Sequence, residues 1–258
     1  MAQLVRPEAL TLDRQEALGY VGYSGQVMSE DLLQRFEQLA SACETTLEPV
    51  GVWDVFARAE SETCAQSSGF DKQARSADQA QSYPGVQLVD GPWLAGADIA
   101  NHLTGAKEVV LMACTLGAKS EHELRKYMAL GSVDGVLYGA CASALVESLA
   151  NAVETSVVDF AAARGLRTNF RYSPGYGDMP LAVQPQFLRA LNATTRIGLN
   201  VTPDNFLLPT KSVTAVIGLF DADAPVPGAR TQCSVCQLRH HCELRKKGTF
   251  CHGFAANK

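Results

Sequence analysis

The chain has 258 residues, 47% hydrophobic and 19% charged, a composition that places it among ordinary globular proteins and excludes disordered and fibrous classes. No charge-free run of about 18 or more apolar residues occurs, and the N-terminal residues lack the charged-then-apolar order of a signal peptide, so a cytoplasmic protein with no membrane span is expected. The net charge of −5 is uneven: residues 230–258 carry six Lys/Arg against Glu243, a local +5 that leaves −10 on the rest of the chain. A basic tail can meet nucleic acid or an acidic protein, but no nucleic-acid motif with interleaved aromatics accompanies it, and nucleic acid is set aside.

In chain order, Asp13 and Glu16 form a capping box for a short helix ending near Gly19. Ser29 caps a clearer helix, whose Leu32, Leu33, Phe36, Leu39, Ala40 and Cys43 follow the i, i+3, i+4 period of one buried face. Residues 50–59 read as a strand, with Val52, Val55 and Phe56 as its β-formers. About thirty residues with little pattern follow, and then a short alternation, Val86-Gln87-Leu88-Val89, before the turn Asp90-Gly91-Pro92. Residues 96–103 read as a short helix and 108–114 as a buried strand. Ser120 and Glu123 form a second capping box, for a helix running to about Leu130. Ser132 opens a long helix to about Arg164, rich in Ala, Gly and Ser on one side. Glu147 interrupts that small apolar face; a carboxylate there needs a partner or solvent, and pattern alone favours solvent. Residues 168–172 read as a strand, 184–191 as a helix, 197–208 as a strand broken at Pro203, and 212–220 as the strongest strand. Residues 221–228 form a linker.

Two stretches carry chemistry. The first is Arg171-Tyr172-Ser173-Pro174-Gly175-Tyr176-Gly177-Asp178-Met179-Pro180. A guanidinium can grip a carboxylate bidentately, Tyr172 or Tyr176 can stack on a flat ring or attract a sulfonium, and Gly175 and Gly177 let a ligand approach the main chain. The set suits an amino-acid-bearing cofactor with a base, and equally a structural turn around a salt-bridged arginine. The second is Cys233-x2-Cys236-x5-Cys242-x8-Cys251. With no secretion signal, four thiols within nineteen residues point to a metal rather than to disulfides. Zinc and a [4Fe–4S] cluster both fit. Cys114 and Cys141 lie in apolar or small-residue runs and read as buried thiols.

Arg171-x-x-x-Gly175-Tyr176, with Pro180 shortly after, resembles the signature of the activation domain of cobalamin-dependent methionine synthase. The likeness extends to residues 143–150 before it, to Asn200-Val201-Thr202, Leu208-Pro209 and Ser212-Val213-Thr214 after it, and to residues 16–23 and 110–117. The turn departs from the family's pattern at Gly177-Asp178-Met179, and the family's later aromatic pair has no match. The resemblance implies an α+β fold, a mixed or antiparallel sheet with a long packed helix. It divides the chain into a small N-terminal α/β cap (1–95), an AdoMet-binding region (96–221) and a linker with a four-cysteine tail (222–258). It implies AdoMet-dependent reductive reactivation, or remethylation, of a corrinoid (cobalamin) carried by a separate protein such as a split methionine synthase subunit. By position, Arg171 would hold the AdoMet carboxylate, Tyr172, Gly175 and Tyr176 would line the adenosyl or corrin side, and Glu147 would face the cationic end. That function favours iron–sulfur over zinc in the tail, since the corrinoid needs a low-potential electron. Two alternatives remain: an iron–sulfur activator without AdoMet binding, and an adaptor with a zinc-stabilised tail.

Overall fold

The computed structural model describes residues 2–59 and 84–227. Its elements are β1 (Gln3–Val5), α1 (Arg14–Tyr20), α2 (Glu30–Thr46), β2 (Val50–Ala57), β3 (Gly85–Gln87), β4 (Trp93–Ala95), α3 (Ala97–His102), β5 (Glu108–Thr115), α4 (Ala118–Leu130) and α5 (Ser132–Ala163). Then follow β6 (Leu166–Thr168), a 3-10 turn (Leu181–Val183), α6 (Gln184–Leu191), α7 (Ala193–Ile197), β7 (Asn200–Val201), β8 (Leu207–Leu208) and β9 (Ser212–Asp221). Five strands form one antiparallel sheet in the order β1-β2-β5-β9-β6. The first hundred residues thus give two strands to the central sheet and two helices to the layer above it.

The sheet is buried on both faces, so β5 and β9 read as nearly continuous apolar runs. The pleat still sorts them. Val110, Met112 and Cys114 of β5, with Ala215, Ile217 and Leu219 of β9, face α1, α2 and α5. Val109, Leu111 and Ala113, with Val216 and Phe220, face α3, α6 and α7. Either set is a core: replacing the fully buried Leu111 with Ala would cost about 2–5 kcal/mol.

Helix α5 is the spine of the first layer. By length and composition it could cross a membrane, but 61% of its apolar window is buried inside the fold. Its composition follows from that burial: the sheet lies on one side and α1, α2 and α4 on another. Close approach to β2 is set by Gly51, where any Cβ would collide with Cγ2 of Val153. At the ends of α2, ion pairs lock the layer: Arg35 to Asp134 at 2.6 Å, and Arg14 to Glu44.

Local readings differ from the structure in three places. Helix α4 begins at Ala118 after Gly117, and the Ser120 hydroxyl donates to the Gly117 carbonyl at 2.7 Å instead of capping. Residues 193–208 form α7 and the small β7–β8 hairpin, because Asn192 and Gly198 adopt left-handed conformations that end short helical turns. The strand expected over 168–172 is a ladder only to Thr168; beyond it the chain runs beside β9 with a single bridge, Tyr172 to Val216. Asn169 fills part of the gap, its Oδ1 accepting from the Gly218 amide at 2.7 Å.

Candidate functional site

That edge segment alternates across the sheet, and the alternation separates two adjacent residues. Tyr172 lies opposite Val216 and joins the core on the α3 side, whereas Arg171 points to α5. Two polar clusters result, one on each face.

On the α5 side, Arg171 is buried, with a residue exposure of 7%. Its Nε pairs with Oε2 of Glu154 at 3.0 Å. Its Nη2 donates to Oδ1 of Asn151 at 2.8 Å and lies 3.5 Å from Oε2 of Glu147. Its Nη1 is buried with no hydrogen-bond partner among the described residues. Glu147, Asn151 and Glu154 are spaced i, i+4, i+7 on α5 and share one helix face. One turn earlier Ser143 accepts from Nζ of Lys211 at 2.8 Å, so a polar stripe runs along the helix with a cation at each end. Burial pushes the Lys211 pKa down. Burial also raises the Glu154 carboxyl, with Arg171 opposing and the like charge of Glu147 adding to the rise.

The stripe corrects two sequence readings. Glu147 does not simply face solvent: its side chain is 21% exposed and sits beside Arg171. Bidentate use of the Nε–Nη2 edge of Arg171 by a ligand is also closed, because α5 already occupies that edge. Asn151 and Glu154 were missed by sequence reasoning, although their spacing from Glu147 was a readable signal. Lys211 is half-buried rather than a free surface lysine.

On the α3 side, the turn after Tyr172 closes through Gly175 N to Met179 O at 2.8 Å and Tyr176 N to Ser173 O at 3.0 Å. Gly175 and Gly177 have φ of 92° and 52°, a region that favours glycine. Gly177 has a second reason: a Cβ there would collide with the Tyr172 hydroxyl and with Oδ2 of Asp98. The carboxylate of Asp178 accepts from the amides of Ala97 and Asp98 at 2.6 and 3.0 Å, capping α3 from across the chain. Helix α3 has no capping side chain of its own, since its N-cap is Gly96. The Gly177-Asp178 departure from the family's turn therefore has a structural function here.

Behind this turn the His102 ring packs 4.6 Å from Phe170 and 5.0 Å from Tyr172. Its Nε2 lies 3.0 Å from the Phe170 carbonyl, which only accepts, so Nε2 carries the proton. Burial pushes the His102 pKa down to about 4, with the Phe170 hydrogen bond opposing. Tyr172 is 4% exposed, and burial raises its pKa, helped by Asp98 and Asp178. Tyr176, at 47%, is the exposed aromatic of the turn, its ring 6.0 Å from that of Tyr172. The structure thus joins Arg171 to Glu147, and Tyr172 to Gly175 and Tyr176, as two neighbouring groups rather than one.

No family model and no curated protein matches the sequence. Among solved structures, the chain is similar to the MetH reactivation domain bound to AdoHcy, with a TM-score of 0.58 and 13% identity over 97% of this chain and 87% of that one. The fold is the reactivation-domain fold. The α+β architecture implied by the Arg-x-x-x-Gly-Tyr signature is therefore what the chain adopts. Among the described residues no group of three or more His, Cys, Asp or Glu could hold a metal ion. Cys233, Cys236, Cys242 and Cys251 lie outside the described residues. Cys43, Cys114 and Cys141 are free and buried, and burial pushes the Cys114 thiol up to about 12.

Proposed function

We propose that this chain binds S-adenosylmethionine at the Arg171 cluster and the Tyr176 turn, and serves a separate corrinoid protein as its reactivation module. The observation that carries the proposal is the buried guanidinium of Arg171 with Nη1 unpartnered among the described residues. Buried polar groups are nearly always satisfied, and an orphaned one costs about 1–3 kcal/mol unless a ligand completes it. A ligand carboxylate would do so once the groups that cover Nη1 make way for it. Glu147 lies beside it with more exposure than Glu154, 21% against 14%, and would meet the ligand's cationic groups. An amino-acid moiety, with both charges on one carbon, matches that pair. Tyr176 would offer its exposed face to the adenine or sulfonium, with Tyr172 supporting it from behind, and Gly175 would let the ligand reach the main chain.

AdoMet would supply the methyl group, and the partner's corrinoid, after one-electron reduction, the acceptor. The part of this chain is to bind, to orient the sulfonium carbon and to exclude water. No acid or base on this chain is required. A cytoplasmic location follows from that role. Cys233, Cys236, Cys242 and Cys251 would hold the [4Fe–4S] cluster that delivers the electron, or zinc in a structural tail. Iron, sulfide and zinc analysis of anaerobically purified protein separates these.

Calorimetric titration with AdoHcy tests the binding reading. Wild type should bind one equivalent, and Arg171→Lys, which keeps the charge but not the planar fork, should bind at least about tenfold more weakly. Absence of binding to the wild type would remove it.

A further inference from the structure

We infer that Glu154 and Asn151 are positioning residues, which clamp the side edge of Arg171 so that Nη1 alone receives the ligand's carboxylate. The inference rests on the AdoMet-binding reading and adds to it the means by which the recognition group is aimed.

A guanidinium is a rigid plane with Nε and Nη2 along one side and Nη1 at the far corner. In this site both donors of the side edge are engaged by one helix: Nε by Glu154 at 3.0 Å, and Nη2 by Asn151 at 2.8 Å. The plane is thereby fixed in relation to a helix that is itself packed against the sheet. Arginine side chains ordinarily retain several free torsions, and ordering them on binding weakens affinity. Here the ordering precedes the ligand. The two clamping residues sit on the α5 face at i and i+3, so one helix turn presents both. Among the described residues the clamp leaves Nη1 without a hydrogen-bond partner, the donor that a ligand carboxylate would complete. The more exposed acid of the stripe, Glu147, is 3.5 Å from Nη2, a looser contact than either clamp.

The test separates the carboxylate from the rest of the ligand. Wild type, Glu154→Gln and Asn151→Ala are titrated with AdoHcy and, separately, with 5′-methylthioadenosine, which has the adenosyl thioether but no amino-acid group. Each variant should weaken AdoHcy about tenfold and leave methylthioadenosine within about twofold, since Glu154→Gln removes the charge that pairs with Nε and Asn151→Ala the oxygen that accepts from Nη2. Asn151 is exposed, so its variant keeps the experiment decisive if Glu154→Gln folds poorly. Equal weakening of both ligands would show a general structural role and overturn the inference, as would AdoHcy affinity that stays unchanged. If wild type binds neither ligand, the AdoMet reading itself fails and takes the inference with it.

Discussion

Arg171 and Tyr172 are adjacent in sequence and face opposite layers of the sheet, and their surroundings differ in one respect that matters. Around Tyr172 the polar contacts close on themselves: Asp178 caps α3, and His102 donates to Phe170. Around Arg171 two carboxylates and an amide are gathered, and among the described residues a donor is still left over. The first cluster is a latch that shapes a turn. The second has the unspent donor that a ligand needs. Burial alone does not distinguish them; the balance of donors and acceptors does.

Substitutions should break that contrast in graded order. Arg171→Met leaves Glu154 buried beside Glu147 with no cation, and should cost about 3–5 kcal/mol in chemical denaturation, as loss of one partner of a buried pair does. The latch should respond to acid instead. His102 has its folded pKa near 4 against 6.5 for the free side chain, so between these values the unfolded chain holds a proton that the folded one refuses. Stability is then full above pH 6.5 and falls with decreasing pH toward 4, by about 3 kcal/mol in total. Denaturation curves of wild type and His102→Gln across that window should converge toward acid as the variant loses the slope. Asp178→Ala removes the cap of α3 and should cost about 1 kcal/mol, visible as a lower denaturation midpoint. Tyr176→Ala, at an exposed position, should change stability by no more than about 0.5 kcal/mol and still weaken AdoHcy binding.

Much of the fold was legible beforehand. The long helix, the strands at 50–57, 108–115 and 212–221 and the Asp13 and Ser29 caps follow from period and capping chemistry. The Arg171 motif pointed to the segment that carries the buried guanidinium. What local pattern could not supply was pairing at long range. Glu147 looks solvated until α5 is laid against the edge of β9, which brings Arg171 to it from a distant part of the sequence. Asp178 looks like a loop acid until it is seen 81 residues from the amide it caps. Nor could sequence show that Tyr172 turns inward, since its side is fixed by the bridge to Val216. A single bridge beyond the end of β6 is too short to leave a period.

The most direct measurement is a crystal structure of the protein with AdoHcy. The account predicts the ligand carboxylate within hydrogen-bond distance of Arg171 Nη1, with Glu154 and Asn151 still on Nε and Nη2 and the ligand lying over Tyr176. A ligand bound elsewhere, or one whose carboxylate displaces Glu154 and Asn151 from the side edge, would contradict it.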